Sequence, residues 1–398
     1  MNKLQQLLRY EQTAGVLMIA AIAIGLGAAN SPLAPLYELI HDTEVHLRFG
    51  ALIVEDALAE WVNQGLMVIF FLIVGLEIKR ELLEGDLASL RYAALPAIAA
   101  VGGMLAPALI YAGFNWDDAA ALRGWAIPTA TDIVLAVSLL SLLGSRVPAG
   151  LKIFLTALAI FDDIGAVLVI AVFYGDALAL TPLLVAALAV AGLIVVNRMG
   201  ITREAAYVIP GLILWVALLK AGVEAALAGV LIAAAVPLRI PRRDVASPLK
   251  RTERRLHPWS TLVVVPLFAF FNAGIVIDAA SAAQLLDSVS LGIIAGLFLG
   301  KQLGILVACW AAVVVGLGQL PKGVTWAQIY GAAVLAGIGF TMSLFVATLA
   351  FSDPVLVTSA KLAILVASLL AGVFGLSVIG VSTRAPAPAA QAASGSRT

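Results

Sequence analysis

The sequence predicts an all-α membrane protein of about twelve transmembrane helices, two of them interrupted near their middles. Three observations predict it. Of the 398 residues, 62% are hydrophobic and only 12% are charged, against about 25% charged in an ordinary soluble chain, and the mean hydropathy is +1.05. Apolar runs of membrane-spanning length recur along the whole chain. The few charges inside those runs sit at their centres, beside proline and glycine. A single soluble core is excluded, because a globule of this size has more surface than so few charges can cover.

A helix needs roughly 20 apolar residues to cross the hydrocarbon layer. The candidate runs are 13–30, 61–77, 94–114, 124–144, 151–174, 181–197, 205–219, 222–238, 259–277, 289–315, 327–351 and 356–382. The polar start, Met1 to Thr13, leads into the first run with no small-residue cleavage site, so that run reads as a transmembrane helix and not as a removed signal. Residues 31–60 form the long first outer loop. Its segment 44–54 alternates around Phe49 and Gly50 as a short hairpin would, and an irregular loop fits as well. Short links such as 145–150 force antiparallel neighbours. Residues 1–382 read as one polytopic membrane domain. The remainder, 383–398, is rich in Pro, Ala and Ser and reads as a disordered tail.

Lysine and arginine set the orientation. One set of loops carries Lys3, Arg9, Lys79, Arg80, Arg91, Arg146, Lys152, Arg198, Arg203, Lys322 and the dense stretch from Arg239 through Arg242 and Arg243 to Arg255. The opposite loops hold only Arg48, Arg123 and Lys220, with Glu38, Asp42, Glu44, Asp117 and Asp118. Both termini are therefore expected in the cytoplasm. The formal net charge of zero gives no reason to expect a nucleic-acid partner. Cys309 is the one cysteine, and His41, His46 and His257 suggest no zinc site, so neither a disulfide framework nor a resident cofactor is expected.

The informative residues are the charges at bilayer depth. Asp132 follows Pro128 to Thr131, Asp162 and Asp163 stand mid-way along the fifth run, and Lys301 is equally deep in the tenth. Each such charge costs roughly 2.5–3.5 kcal/mol even on the gentle insertion scale. A static ion pair between Lys301 and one aspartate accounts for two of the four and leaves two carboxylates unexplained. A hydrated cation site explains all four. Adjacent helical residues point about 100° apart, so Asp162 and Asp163 face different neighbours. The backbone around them is irregular as well. Pro128 removes a helix donor, Thr129 and Thr131 offer competing hydroxyls, and Gly337 and Gly339 fall in the middle of the eleventh run. The glycines alone fit close helix packing. Beside buried charges, two interrupted helices point to a midplane binding site.

Six pieces carry a resemblance to a known family: Val74 to Glu81 (VGLEIKRE), Pro128 to Ile133 (PTATDI), Phe161 to Gly165 (FDDIG), Leu256 to Trp259 (LHPW), Gly300-Lys301, and Gly337 to Phe345 (GIGFTMSLF). In this order and spread, the chain closely resembles the NhaA sodium/proton antiporters, an inverted-repeat transporter family. The resemblance implies an NhaA-like fold of inverted-topology repeats with two interrupted helices crossing at mid-membrane. It implies a bacterial inner-membrane protein that exports Na+, and Li+ too, in electrogenic, pH-regulated exchange for protons. Asp163 would be the main cation ligand and proton carrier, Asp162 the partner of Lys301, Thr131 an oxygen donor, and Asp132 a carboxylate in the helix break. Glu77, Arg80, Glu81, Lys250 and Glu253 would form a pH-responsive cytoplasmic cluster. The outer loop 31–60 would join a homodimer. Many members have a histidine near the start of the eighth helix where this chain has Glu224, which is expected to be wetted and ionised a few residues from Lys220.

Competition for one site supplies the exchange. Burial and a neighbouring carboxylate both favour the protonated acid, whereas a hard cation among the same oxygens favours the ionised form. No P-loop is present and no ATP is required. A sodium-coupled symporter of an organic anion would want a more cationic pocket. An intramembrane aspartyl protease would want a Gly-x-Gly-Asp motif, which is absent.

Overall fold

In a computed structural model the described residues are 3–49, 52–175, 179–239 and 247–383. The expected tail beyond residue 383, the hairpin tip at Gly50 and the basic residues Arg242 and Arg243 lie outside them. The helices are α1 Lys3–Ala29, α2 Ala34–His41, α3 Leu58–Glu84, α4 Leu90–Phe114, α5 Ala119–Thr129, α6 Ile133–Leu142, α7 Ala149–Phe173, α8 Leu180–Arg198, α9 Ala205–Ala221, α10 Leu227–Ala235, α11 Pro248–Ala273, α12 Ala279–Gln284, α13 Ser288–Val314, α14 Trp326–Leu335, α15 Phe340–Ala350 and α16 Pro354–Ser382. The outer loop does fold back on itself: β1 Glu44–Phe49 and β2 Leu52–Ala57 pair antiparallel, with Glu44 opposite Ala57. The chain is an all-α membrane protein apart from this hairpin.

Each of the twelve apolar runs contains helix. Among the described residues, eight helices are long and apolar enough to span a bilayer, or ten when α5–α6 and α14–α15 each count as one bent span. Two runs fall short. α9 has 17 residues, and the run expected at 222–238 is helical only over the nine residues of α10. At 1.5 Å per residue α10 is about 13 Å long, under half of a bilayer core of roughly 30 Å. Gly222 closes α9 in the left-handed conformation, φ 76°, which glycine adopts without a Cβ clash. That turn and the residues after it, where Glu224 Oε1 accepts from the Ala226 amide, leave 222–226 outside the helix.

Local chemistry sets the other ends. Asp118 accepts from the Ala120 and Ala121 amides to start α5. Thr325 and Gln328 form a reciprocal capping box on α14, and Asp353 caps α16 ahead of Pro354. The two bent pairs turn by 40° and 44° at their breaks. In the first, Pro128 sits in a 3-10 stretch, Arg123–Thr129, and Ala130 and Asp132 are extended. In the second, the break spans Ala336 to Gly339. A Cβ on Gly337 would lie 2.5 Å from the Leu297 carbonyl oxygen. Gly337 and Gly339 are absent from the positive-φ glycines, so the close approach of backbone, and not left-handed geometry, requires glycine at 337.

Three turns of π-helix interrupt long helices: Val62–Leu66 in α3, Ser260–Val264 in α11 and Ala295–Gly300 in α13. The last ends immediately before Lys301 and sets the phase at which that side chain leaves the helix. π-turns of this kind gather at functional sites.

Candidate functional site

The two breaks meet. The amide of Asp132 donates to the Ile338 carbonyl at 2.6 Å, and the Thr131 hydroxyl lies 2.8 Å from the Ala336 carbonyl. Backbone outside the helices in each break leaves groups that no helix satisfies, and each break supplies partners for the other. Asp132 is the N-cap of α6: its Oδ1 accepts from the Leu135 amide at 2.9 Å. Its Oδ2 accepts from Thr341 at the start of α15, from the amide at 3.0 Å and the hydroxyl at 2.5 Å. Asp132 thus sits at the N-terminal ends of two half-helices, where amide dipoles favour a negative charge.

Asp162 and Asp163, on α7, face this junction from the side. Lys301 donates to Asp162 Oδ2 at 2.5 Å, with both side chains sealed from solvent. The same oxygen lies 2.6 Å from the Thr131 hydroxyl. Asp162 Oδ1 is buried with no hydrogen-bond partner. Asp163 takes no hydrogen bond and no ion pair from the described residues. Its electrostatic neighbours are Asp162, Glu77, Asp132 and Lys301. All four charged groups and Thr131 are at most 2% exposed. The structure therefore brings Thr131, Asp132, Asp162, Asp163 and Lys301 into one site, with Pro128, Gly337 and Gly339 in or beside the breaks that form it.

Counting oxygens separates the carboxylates. Asp132 is fully engaged by three donors, and Asp162 Oδ2 by two. Both oxygens of Asp163 and Oδ1 of Asp162 remain for a ligand or a proton. A buried acceptor without a donor is costly, so this corner favours either a bound cation or a proton.

The second group of expected residues is only partly one cluster. Arg80 Nε donates to both carboxylate oxygens of Glu253 at 3.0 Å, and its Nη1 meets Glu81 at 2.5 Å. Glu77 feels the charges of Arg80, Glu253 and Glu81 and, on its other side, that of Asp163. Glu77 links the two groups. Lys250 instead pairs with Glu84 at 2.6 Å, beside Arg239 at 2.5 Å on the other Glu84 oxygen.

Sequence reasoning missed Glu84, Thr341 and the role of Lys79. Lys79 Nζ donates to the carbonyls of Ala234 and Val236 at 2.7 and 2.6 Å, closing the C-terminal end of α10. Thr341 had a signal, since it stands two residues after Gly339 at a helix start, where hydroxyls cap. Glu84 had none beyond its charge. Glu224 also differs from expectation. It is half-buried, not fully wetted; its Oε1 accepts from the Ala226 amide at 3.1 Å, and the charge of Glu60 acts on it. The turn at Gly222 folds Glu224 back against the start of α10.

The family model described as Na+/H+ antiporter 1 matches residues 5–379. A Rhodospirillum rubrum protein named Na(+)/H(+) antiporter NhaA is 51% identical over 388 residues, covering 96% of this chain and 97% of that protein. A Syntrophotalea carbinolica protein named Na(+)/H(+) antiporter NhaA 1 is 48% identical over 390 residues, 98% of each. A relative from Shewanella sp. strain MR-4 is 49% identical over 374 residues, 94% of this chain and 96% of its own length.

Proposed function

The chain belongs to the Na+/H+ antiporter 1 family, and from that premise we propose how its buried carboxylates perform the exchange. It is a multi-pass membrane protein and a secondary transporter, not an enzyme, and it exchanges Na+ for protons. The protease reading falls with that membership.

Asp163 is the exchange site. One observation carries this reading: it is a buried carboxylate that takes no hydrogen-bond donor and no ion pair from the described residues, next to a second carboxylate whose outer oxygen has no partner there. Sodium, a hard cation, takes Asp163, Asp162 Oδ1 and neighbouring oxygens such as that of Thr131. A proton satisfies the same oxygens when sodium is gone. Asp132 is engaged by three donors and contributes charge and position. Lys301 compensates Asp162. Asp163 and Asp162 each release one proton when sodium binds, Lys301 then holding the ionised Asp162, so the cycle moves one net charge, and Li+, the smaller hard cation, is carried too. No cofactor takes part.

The basic loops that carry Arg80, Lys250 and Arg255 face the cytoplasm with both termini, in a bacterial inner membrane, by the positive-inside rule. Residues 1–382 form one domain whose twelve apolar runs are arranged as inverted repeats, the run at 222–238 entering the membrane without crossing it as a helix. The Glu77–Arg80–Glu81–Glu253 group tunes activity to pH through the charge it sets around Glu77, which neighbours Asp163, and Lys250 joins it only at longer range, through its pair with Glu84. The outer hairpin 44–57 joins two copies. pH-dye dequenching in everted vesicles on adding NaCl, LiCl or KCl tests the assignment. Sodium-driven proton release that survives Asp163→Asn would remove Asp163 from the role.

A further inference from the structure

Gln302 stands one residue past Lys301 on α13 and is buried with it. Its Oε1 accepts from the hydroxyl of Tyr330 on α14 at 2.9 Å. Its Nε2 is buried and finds no acceptor among the described residues. A buried donor left without an acceptor costs free energy, and a leucine or methionine would fill the same space without that cost. What the amide does supply is one bond to a second helix, and α14 belongs to the site. It is the first half of the second interrupted helix, and the Ala336 carbonyl just beyond its end meets the Thr131 hydroxyl.

The place of that bond matters because of what precedes it. The π-turn Ala295–Gly300 ends directly before Lys301. A π-turn fits one residue more than an α-helical turn, and one residue rotates everything after it by about 100°. The direction of Lys301 therefore depends on how firmly α13 is seated on either side of the turn. Upstream the seat is tight: a Cβ on Gly296 would stand 2.7 Å from the Pro128 Cβ, and one on Gly300 2.8 Å from the Pro107 Cα. Immediately downstream, Gln302 meets Tyr330. Phe374 of α16 braces the same join, against the edge of the Tyr330 ring at 6.5 Å and 85° and against Phe298 of the π-turn at 5.9 Å and 63°. Gly304, further along, lies against the Gly102 carbonyl of α4, but two glycines present no side chain to resist rotation.

Lys301 needs such a seat. Its ammonium ends a flexible four-carbon stem, is fully buried, and donates to Oδ2 of Asp162. Oδ1 of the same carboxylate is left without a partner among the described residues. A modest rotation of α13 would carry the ammonium across the carboxylate and engage Oδ1 as well.

We propose that the Gln302–Tyr330 hydrogen bond fixes the rotation of α13 that aims Lys301 at Oδ2 of Asp162, and that both are positioning residues for the cation site. Without the bond the ammonium takes Oδ1 too, and sodium loses an oxygen. The inference rests on the antiport reading for what that oxygen binds.

Tyr330→Phe removes only the hydroxyl, and Gln302→Met keeps the shape and removes the acceptor. Proteoliposomes at one fixed pH, with sodium varied and proton release followed by dye, test both. Each variant should raise the KM for sodium roughly fivefold, the scale of one lost hydrogen bond, with the maximal rate within about twofold of wild type. A bond that served stability alone would lower the amount of folded protein and leave KM in place. The double variant should be no worse than either single one, since both remove the same bond. A second measurement needs no transport. The fall in melting temperature caused by Tyr330→Phe should be roughly halved in a Lys301→Met/Asp162→Asn background, where no ion pair remains to be aimed. A sodium KM equal to wild type in both single variants, or equal falls in melting temperature in the two backgrounds, would overturn the proposal. Wild-type protein that moves no sodium against protons would count against the antiport reading instead, and the melting comparison would then decide the positioning role.

Discussion

Thr341 binds one oxygen of Asp132 twice, through its backbone amide at 3.0 Å and its hydroxyl at 2.5 Å. The two residues are 209 positions apart, and their contact is where the two interrupted helices are tied. The hydroxyl bond to a buried carboxylate falls in the class worth about 1.5–3 kcal/mol. Thr341→Val keeps the shape and removes only the hydroxyl donor. It should lower the melting temperature in detergent and weaken sodium-driven exchange, while Thr341→Ser restores both. Equal behaviour of the valine and serine variants would show that the amide alone secures Asp132.

Asp163→Asn should abolish sodium-driven proton release. A neutral amide cannot exchange a proton for a cation, and among the described residues both Asp132 oxygens and one Asp162 oxygen are already engaged. Dye dequenching in everted vesicles measures it, with expression level and melting temperature as controls for folding.

Lys301→Ala leaves Asp162 as a buried charge whose ion-pair partner is gone. Breaking one side of such a pair typically costs about 3–5 kcal/mol. A marked fall in thermal stability should follow, and Lys301→Met combined with Asp162→Asn should recover part of it by removing the second charge. A melting curve unchanged in Lys301→Ala would mean that Asp162 holds a proton in the resting protein.

Exchange of two protons for one sodium moves one net charge each cycle. A potential of 100 mV then contributes about 2.3 kcal/mol to the driving force. Initial rates in proteoliposomes should rise and fall with a valinomycin-imposed potential. Voltage-independent rates would require an electroneutral stoichiometry.

Glu253→Ala strips Arg80 of its two-oxygen partner and leaves it Glu81 and Glu77. The charge balance beside Glu77, and through it at Asp163, becomes more positive. The activity–pH midpoint should move by about one unit, to lower pH, since added positive charge favours the ionised carboxylates. The Glu84–Lys250–Arg239 group lies apart from this network in its pairing, so Glu84→Gln should leave the midpoint in place.

Much of this protein was written locally. Hydrophobic runs of bilayer length need no partner to be recognised, because the lipid itself is the environment that selects them. The charges Asp132, Asp162, Asp163 and Lys301 stood out for the same reason: the cost of burying each is visible in its immediate neighbours. Pro128 and the glycines at 337 and 339 marked the breaks, since backbone conformation responds to the residue that adopts it.

What the chain could not reveal by local reading was pairing. That Thr341 holds Asp132, that Lys250 serves Glu84 while Arg80 takes Glu253, and that Glu224 folds inward at Gly222 all follow from how helices distant in sequence lie against one another. The length of α10 belongs here too, for an apolar run tolerates helix or turn until its neighbours close on it. By itself the sequence determined which groups must be buried, because burial has a price set residue by residue. Only the tertiary structure decided which group compensates which, because a hydrogen bond or ion pair depends on ångström-scale separations that packing alone fixes.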